Sequence, residues 1–318
     1  MLAVVCPGQG SQTPGMLVPW LELPAVREQL EEFSTRSGID LVAHGTESDA
    51  DTIRDTSVAQ PLIVASSLIA LRAIVGDATQ TTQSVAVTAG HSVGEFAAAA
   101  VAGVVEDASA VDLVSHRARF MAEAAAATPT GMSAVVGGVA EEVLAAIEAA
   151  GLTPANVNAA GQIVAAGSLE GLETLAQNAP ARARVMPLKV AGAFHTHYMN
   201  GAFERFSPVA ADWAANDPQI ALLSNRDGKA FTSGTHGHGT AREVLNALAN
   251  QIISPVRWDL CQEELKALGV TGILELAPGG VLTGIAKRSL PDIERFAVKS
   301  AGDVEEARAF VAAHGTGN

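Results

Sequence analysis

The sequence predicts an α/β protein built on a mostly parallel sheet, with a smaller unit of different rhythm inserted into it. Three observations carry this expectation. Short unbroken apolar runs, "LAVVC" (2–6) and "GILEL" (272–276), have the length and composition of strands buried on both faces. Glycine- and proline-rich turns followed by helical stretches alternate with such runs, as parallel strands need crossover connections. Between about 131 and 190 the order becomes β-α-β-β-α-β, that of a split βαβ, ferredoxin-like unit.

In chain order, "LAVVC" breaks at "PGQGSQTPG" (7–15), where three glycines and two prolines force a loop. Helices are expected over 25–37 and, strongly apolar, over 60–76 with Pro61 in its first turn. "SVAVTA" (84–89) reads as a strand, 93–102 as a helix, and 107–127 as another, ended by Thr128-Pro129. In the inserted unit "MSAVVGG" is a strand, "AEEVLAAIEAAG" a helix, "PANVN" and "GQIVAAG" strands. "SLEGLETLAQNA" is then a helix opened by Ser168, and "ARVMPLKV" a strand. A helix follows over 197–215, then the strand "IALLS" and a Gly/Thr-rich loop, "SGTHGHGTA" (233–241). Helices over 242–252 and 256–268 lead to "GILEL", the turn "APGG" and a helix through "LTGIAKRSL". "ERFAVK" and a helix over 304–313 come last, with "HGTGN" expected to fray.

The 318 residues suit one large domain, or a large one carrying a smaller. With 48% hydrophobic and 17% charged residues there is ample core and no signature of disorder. A net charge of −14 argues against general nucleic-acid binding, and requires that an acidic ligand be met by a local basic cluster. Cys6 and Cys261 form no disulfide framework or CxxC pair, so a reducing cytoplasm is the expectation. The longest apolar stretches are broken or flanked by Ser, Arg72 or Glu95, so neither reads as a clean membrane span of about 20 residues. "LAVVC" has no charged segment and apolar region before it, which argues against a lipoprotein cleavage site.

"TAGHSVGEFAAAA" (88–100) holds the candidate chemistry. A strand, G-x-S-x-G and a helix form a nucleophile elbow: the turn lifts the serine hydroxyl above the sheet, and small neighbours let strand and helix pass closely. The plain alternative is a Gly-Ser turn without chemistry. A nucleophilic Ser92 needs a base. Of His44, His91, His116, His195, His197, His236, His238 and His314, His91 adjoins the serine but points to the opposite strand face. His236 and His238 fall in the Gly/Thr loop. His195, in "VAGAFHTHYM", lies where the insertion returns to the main unit, between an apolar strand and a helix. "HTH" and "HGH" lack a third ligand at recognisable spacing, so no metal is expected.

Seven segments, in order, are jointly similar to malonyl-CoA:acyl-carrier-protein transacylases. They are "PGQGSQTPGM", "GHSVGE", "HRARFMAEA", "NAAGQIVAAG", "GAFHTHYM", "SPVRWDL" and "APGGVLTGIAKR", spanning nearly the whole chain. The resemblance implies an α/β-hydrolase-like core, 1–128 with 194–318, and a ferredoxin-like subdomain, 129–193, with the active site between them. It implies Ser92 as nucleophile and His195 as general base and acid, oriented by the backbone carbonyl of Ser254 where the family commonly has Asn. The amides of Gln9 and Val93 would form the oxyanion hole. Arg117 would bind the malonyl carboxylate in a pocket shared with Gln162 and His91. Phe194 before the histidine, and Val93 after the serine, match the pattern that selects malonyl over methylmalonyl groups. A guanidinium can grip a carboxylate through two parallel hydrogen bonds, which lysine cannot. A solvated helix-surface arginine is the alternative for Arg117, although Arg119 two residues on could serve that role.

The implied reaction is ping-pong, malonyl-CoA to Ser92 to the phosphopantetheine thiol of an acyl carrier protein, with no cofactor because a thioester is already activated. Malonyl-CoA and a transiently bound carrier are the expected partners of a cytoplasmic monomer, with neither nucleic acid nor membrane. Lys189, Arg226, Arg257, Lys287 and Arg288 are candidates for docking the acidic partners. A separate chain favours fatty-acid synthesis over polyketide synthesis. The rival classes are a serine thioesterase, which needs an acid between Ser and His in chain order, and a non-catalytic carrier-binding module.

Overall fold

The computed structural model describes residues 1–232 and 239–315. A six-stranded sheet forms the larger part, from β1 (Leu2–Cys6), β2 (Val87–Gly90), β7 (Ala221–Leu223), β8 (Ala230–Phe231), β10 (Gly272–Glu275) and β11 (Glu294–Ala297). Its order is β11-β10-β1-β2-β7-β8, parallel throughout except for the β7–β8 pair at one edge. Four consecutive buried residues in each of β1, β2 and β10 explain their unbroken apolar character.

The second sheet uses β3 (Thr130–Gly137), β4 (Thr153–Ala159), β5 (Gln162–Ser168) and β6 (Ala183–Pro187), with α7 (Ala140–Ala149) and α8 (Leu169–Gln177) between them. The order β6-β3-β5-β4, antiparallel at every step, is that of a split βαβ unit. β9 (Val256–Arg257) adds itself parallel to β4. The sequence reading took residues 256–257 as the start of a helix. Pairing with β4 holds them extended, and the helix α11 begins at Trp258 instead (Trp258–Ala267).

Helices cover the larger sheet. α3 (Thr56–Ile74) packs against α5 (Gly94–Val101) and α6 (Asp107–Ala127). It starts four residues earlier than expected because Asp55 accepts a hydrogen bond from the Ser57 amide, which places Pro61 inside the helix. By length and composition α3 is long and apolar enough to cross a membrane; 78% of that stretch is buried inside the protein. Ser84 closes a short helix, α4 (Ala78–Ser84), capped by Asp77, so the strand expected over 84–89 begins at Val87. The expected helix over 197–215 is a 3-10 turn at His197–Met199 followed by α9 (Asn200–Ala211). The short helix α2 (Leu41–Thr46) and strand β8 had no periodic signal. Residues 233–238, most of the Gly/Thr-rich loop, lie outside the described residues, as do 316–318.

The carboxyl ends of parallel strands point to one edge of such a sheet, and crevices for ligands form there. Here that edge gathers Pro7 to Gly10 after β1, His91 and Ser92 after β2, and Ser224 and Asn225 after β7. Glycines set the spacing. A Cβ on Gly94 would sit 2.2 Å from the Cys6 carbonyl oxygen, and one on Gly90 2.0 Å from the Gly94 carbonyl carbon. Strand and helix therefore cross at backbone contact. Because both obstacles are backbone, Gly94→Ala is expected to cost about 3 kcal/mol, the upper part of the overpacking range. Thermal denaturation checks this; an unchanged melting temperature would contradict it.

Candidate active site

Ser92 sits at the tip of the β2–α5 turn with φ of 51°, a left-handed conformation rare for residues other than glycine. Asn225 holds it there. The Asn225 side chain accepts from the Ser92 amide at 2.8 Å and donates to the Gly90 carbonyl at 2.7 Å. Gly8 lets the loop after β1 approach; a Cβ there would lie 2.8 Å from the His91 carbonyl oxygen. Gln9 is thereby brought to the serine, and Val93, buried, caps the first turn of α5.

His195 is 3% exposed and also has a left-handed backbone, φ 63°. Its Nε2 lies 2.8 Å from Ser92 Oγ, and its Nδ1 2.7 Å from the backbone carbonyl of Gln251. The sequence reading gave the orienting carbonyl to Ser254; the Ser254 backbone also acts on the imidazole, but more weakly, and the direct hydrogen bond at Nδ1 is to Gln251. The chain turns in a 3-10 helix at Gln251–Ile253, and this turn aims the Gln251 carbonyl at the imidazole. Ser254 lines a different cavity of ≈ 520 Å³, beside Arg226 and Pro255. Burial first, then the Arg117 charge, push the His195 pKa down to about 3, so the imidazole is neutral and able to accept a proton at neutral pH.

Arg117 is fully buried, on the inward face of α6, while Arg119 two residues on is exposed and stacks over Phe120. Arg117 Nη1 donates to Gln60 Oε1 at 2.6 Å and Nη2 to Gln251 Oε1 at 2.7 Å. Nη2 also reaches to 3.4 Å from Ser92 Oγ, and Nε has no partner among the described residues. Burial lowers its pKa to about 9 against the opposing effect of Glu95, which leaves the guanidinium charged at neutral pH.

A cavity of ≈ 250 Å³ opens on Ser92 and His195, and Gln9, His91, Gln162 and Phe194 line it. His91 is fixed by Asn158, whose Oδ1 lies 2.8 Å from Nε2, and meets the edge of Trp258. Gln162 Oε1 accepts from Arg288 at 3.1 Å, so α12 (Val281–Ser289) is tied to β5 at the mouth. Of the other docking candidates, Lys189 and Lys287 are exposed, Arg257 pairs with Asp259 and Arg226 with Asp227. Arg226 belongs to the Ser254 cavity and not to the serine's. Among the described residues no group of three or more His, Cys, Asp or Glu is placed to hold a metal. His236 and His238 lie outside the described residues.

A model of the acyl transferase domain matches residues 3–310. The malonyl CoA-acyl carrier protein transacylase of Mycobacterium tuberculosis is 50% identical over 306 residues, 96% of this chain and 99% of that one. The chain belongs to the malonyl CoA-acyl carrier protein transacylase family. The crystal structure of MCAT from Mycobacterium tuberculosis superposes with a TM-score of 0.90 at 48% identity, covering 97% of this chain and 99% of that one. A malonyl-transacylase solved in complex with a type II PKS acyl-carrier protein gives 0.86 at 30% identity, covering 97% and 99%.

Within this transacylase fold, sequence reasoning missed Gln60, Glu95, Asn225 and Gln251, which hold Ser92, His195 and Arg117 in place. Gln60 left one signal, as the amide at the head of an otherwise apolar helical stretch. Glu95 left another, as the acid inside "GHSVGE". Asn225 and Gln251 had none.

Proposed function

We propose that the chain transfers the malonyl group of malonyl-CoA to the phosphopantetheine thiol of an acyl carrier protein, through an ester on Ser92, and so supplies extender units for fatty-acid synthesis. The observation that carries this reading is the convergence of His195 Nε2 and Arg117 Nη2 on Ser92 Oγ, at 2.8 and 3.4 Å. A base and a fixed cation beside one hydroxyl suit an acyl group that ends in a carboxylate.

Ser92 Oγ attacks the thioester carbonyl as His195 takes its proton. The oxyanion is received by the amides of Gln9 and Val93, the latter at the start of a helix. Collapse expels CoA, whose sulfur takes the proton from His195. The carrier's thiol then repeats these steps in reverse, returning Ser92 to its free form. No step calls on a metal or redox group. Arg117, fully buried and reaching the serine's cavity through its contact with Ser92 Oγ, holds the malonyl carboxylate, and Gln162 and His91 line the cavity. Phe194 crowds the position an α-methyl branch would take, a discrimination worth about 1–3 kcal/mol. The backbone carbonyl at His195 Nδ1, in place of a carboxylate, supports transfer over the thioesterase reading. We assign 1–128 with 194–318 to the catalytic subdomain and 129–193 to the ferredoxin-like one. A cytoplasmic monomer that meets its carrier briefly, near Lys189, Lys287 and Arg288, completes the reading; sedimentation at twice the chain mass would oppose the monomer.

Initial rates at varied malonyl-CoA and carrier concentrations test the function. Parallel double-reciprocal lines are expected of a covalent intermediate, and converging lines would oppose it. The lowered pKa of His195 gives a second expectation. Its neutral form persists well below the ordinary value of 6.5. Acylation by acetyl-CoA, which has no carboxylate for Arg117, is therefore expected to stay level from pH 7 to 5. A rate that halves near pH 6.5 would contradict this.

A further inference from the structure

Glu95 is 4% exposed, in the first turn of α5, and contacts neither Ser92 Oγ nor the cavity that opens on it. Its two carboxylate oxygens are both used. Oε1 accepts from the Asn225 backbone amide at 2.5 Å, and Oε2 accepts from Gln251 Nε2. Gln251 Nε2 also donates to the Ser92 carbonyl at 2.9 Å, and Gln251 Oε1 accepts from Arg117 Nη2 at 2.7 Å.

A carboxylate only accepts, whereas an amide accepts at one end and donates at the other. Docking the Gln251 NH2 on Glu95 therefore leaves its oxygen facing the guanidinium. We propose that Glu95 is a positioning residue that holds Arg117 in register for the acyl carboxylate, acting through the side-chain amide of Gln251. This rests on the malonyl-transfer reading above. His195 is outside this control, because it is held by the backbone carbonyl of Gln251 and not by its side chain.

Glu95→Gln isolates the effect. The Asn225 backbone amide cannot turn away, so it claims the single oxygen of the new amide and leaves an NH2 facing Gln251. Gln251 must then turn over, presenting donors to the donors of Arg117. Burial pushes the Glu95 carboxyl up to about 7, against the pull of Asn225, Gln251 and Arg117, so assays belong at pH 8.

The experiment compares kcat/KM for malonyl-CoA and acetyl-CoA in wild type, Glu95→Gln, and the double variant Glu95→Gln with Gln251→Glu. In Glu95→Gln the malonyl value is expected to fall about 10- to 100-fold, the loss of a hydrogen bond to a charged group. The acetyl value, in which Arg117 holds nothing, should fall by a distinctly smaller factor, that of the Gln251 donor withdrawn from the Ser92 carbonyl. The double variant restores an acceptor toward Arg117 while the backbone amide of residue 95 still reaches the Ser92 carbonyl at 3.0 Å. It is expected to recover malonyl preference. Equal losses for both substrates, no loss for malonyl-CoA, or a folded double variant without recovered preference would overturn the proposal. If Glu95→Gln does not fold, the double variant alone decides. A wild type with no preference for malonyl-CoA would instead overturn the malonyl-transfer reading.

Discussion

Ser92→Ala is expected to lower malonyl transfer by about 10⁵- to 10⁶-fold, the scale seen when a nucleophile is removed from an acyl-transfer site. The fold should survive, because the elbow does not depend on the hydroxyl. The Ser92 amide and carbonyl are held by Asn225 and Gln251, and the glycine contacts with Cys6 are backbone contacts. Only Oγ is lost, with its contacts to His195 and Arg117. Steady-state rates on a correctly folded variant check this. A loss below about 100-fold would mean that the oxyanion hole and base act on some other nucleophile, such as water.

Arg117→Ala comes second. A carboxylate gripped by a buried guanidinium is worth about 2–5 kcal/mol, so kcat/KM for malonyl-CoA is expected to fall by about 30- to 5,000-fold while that for acetyl-CoA falls far less. The variant also pays in stability. Gln60 and Gln251 each lose a donor, and Glu95 loses the cation that offsets its burial. Stranding such groups costs about 3–5 kcal/mol. Arg117→Lys keeps the charge but loses the fork, and is expected to fall between alanine and wild type. Rates for both thioesters, measured side by side, separate the two effects. An equal fall for malonyl- and acetyl-CoA would remove the carboxylate role from Arg117.

How much of this was legible in the sequence follows from what each signal depends on. "LAVVC" and "GILEL" were readable as strands because burial on both faces writes itself as an unbroken apolar run. α6 was read to its ends, because Thr128-Pro129 stops a helix whatever surrounds it. The start of α3 was misread because Pro61 suggested a first turn, while Asp55 provided the actual cap. β9 was hidden because two residues have no period; they are extended only because β4 is alongside.

The site divides the same way. Ser92, His195 and Arg117 were found because their residue types imply chemistry and their neighbours form motifs. Buried amides imply nothing by themselves. Gln251 brings together Ser92, His195, Arg117 and Glu95, contacts separated by 56 to 159 residues in the chain. Such a role exists only once the fold has assembled it. The same reason explains the Ser254 error: the orienting group is a backbone carbonyl, so no side chain marks which residue supplies it.

The most direct test of malonyl transfer through Ser92 is the intact mass of the protein after brief mixing with malonyl-CoA, then after addition of a phosphopantetheinylated acyl carrier protein. The expected result is a gain of one malonyl group on the wild type and none on Ser92→Ala, with the group then found on the carrier. An adduct on Ser92→Ala, or one lost to water while the carrier stays unmodified, would contradict it.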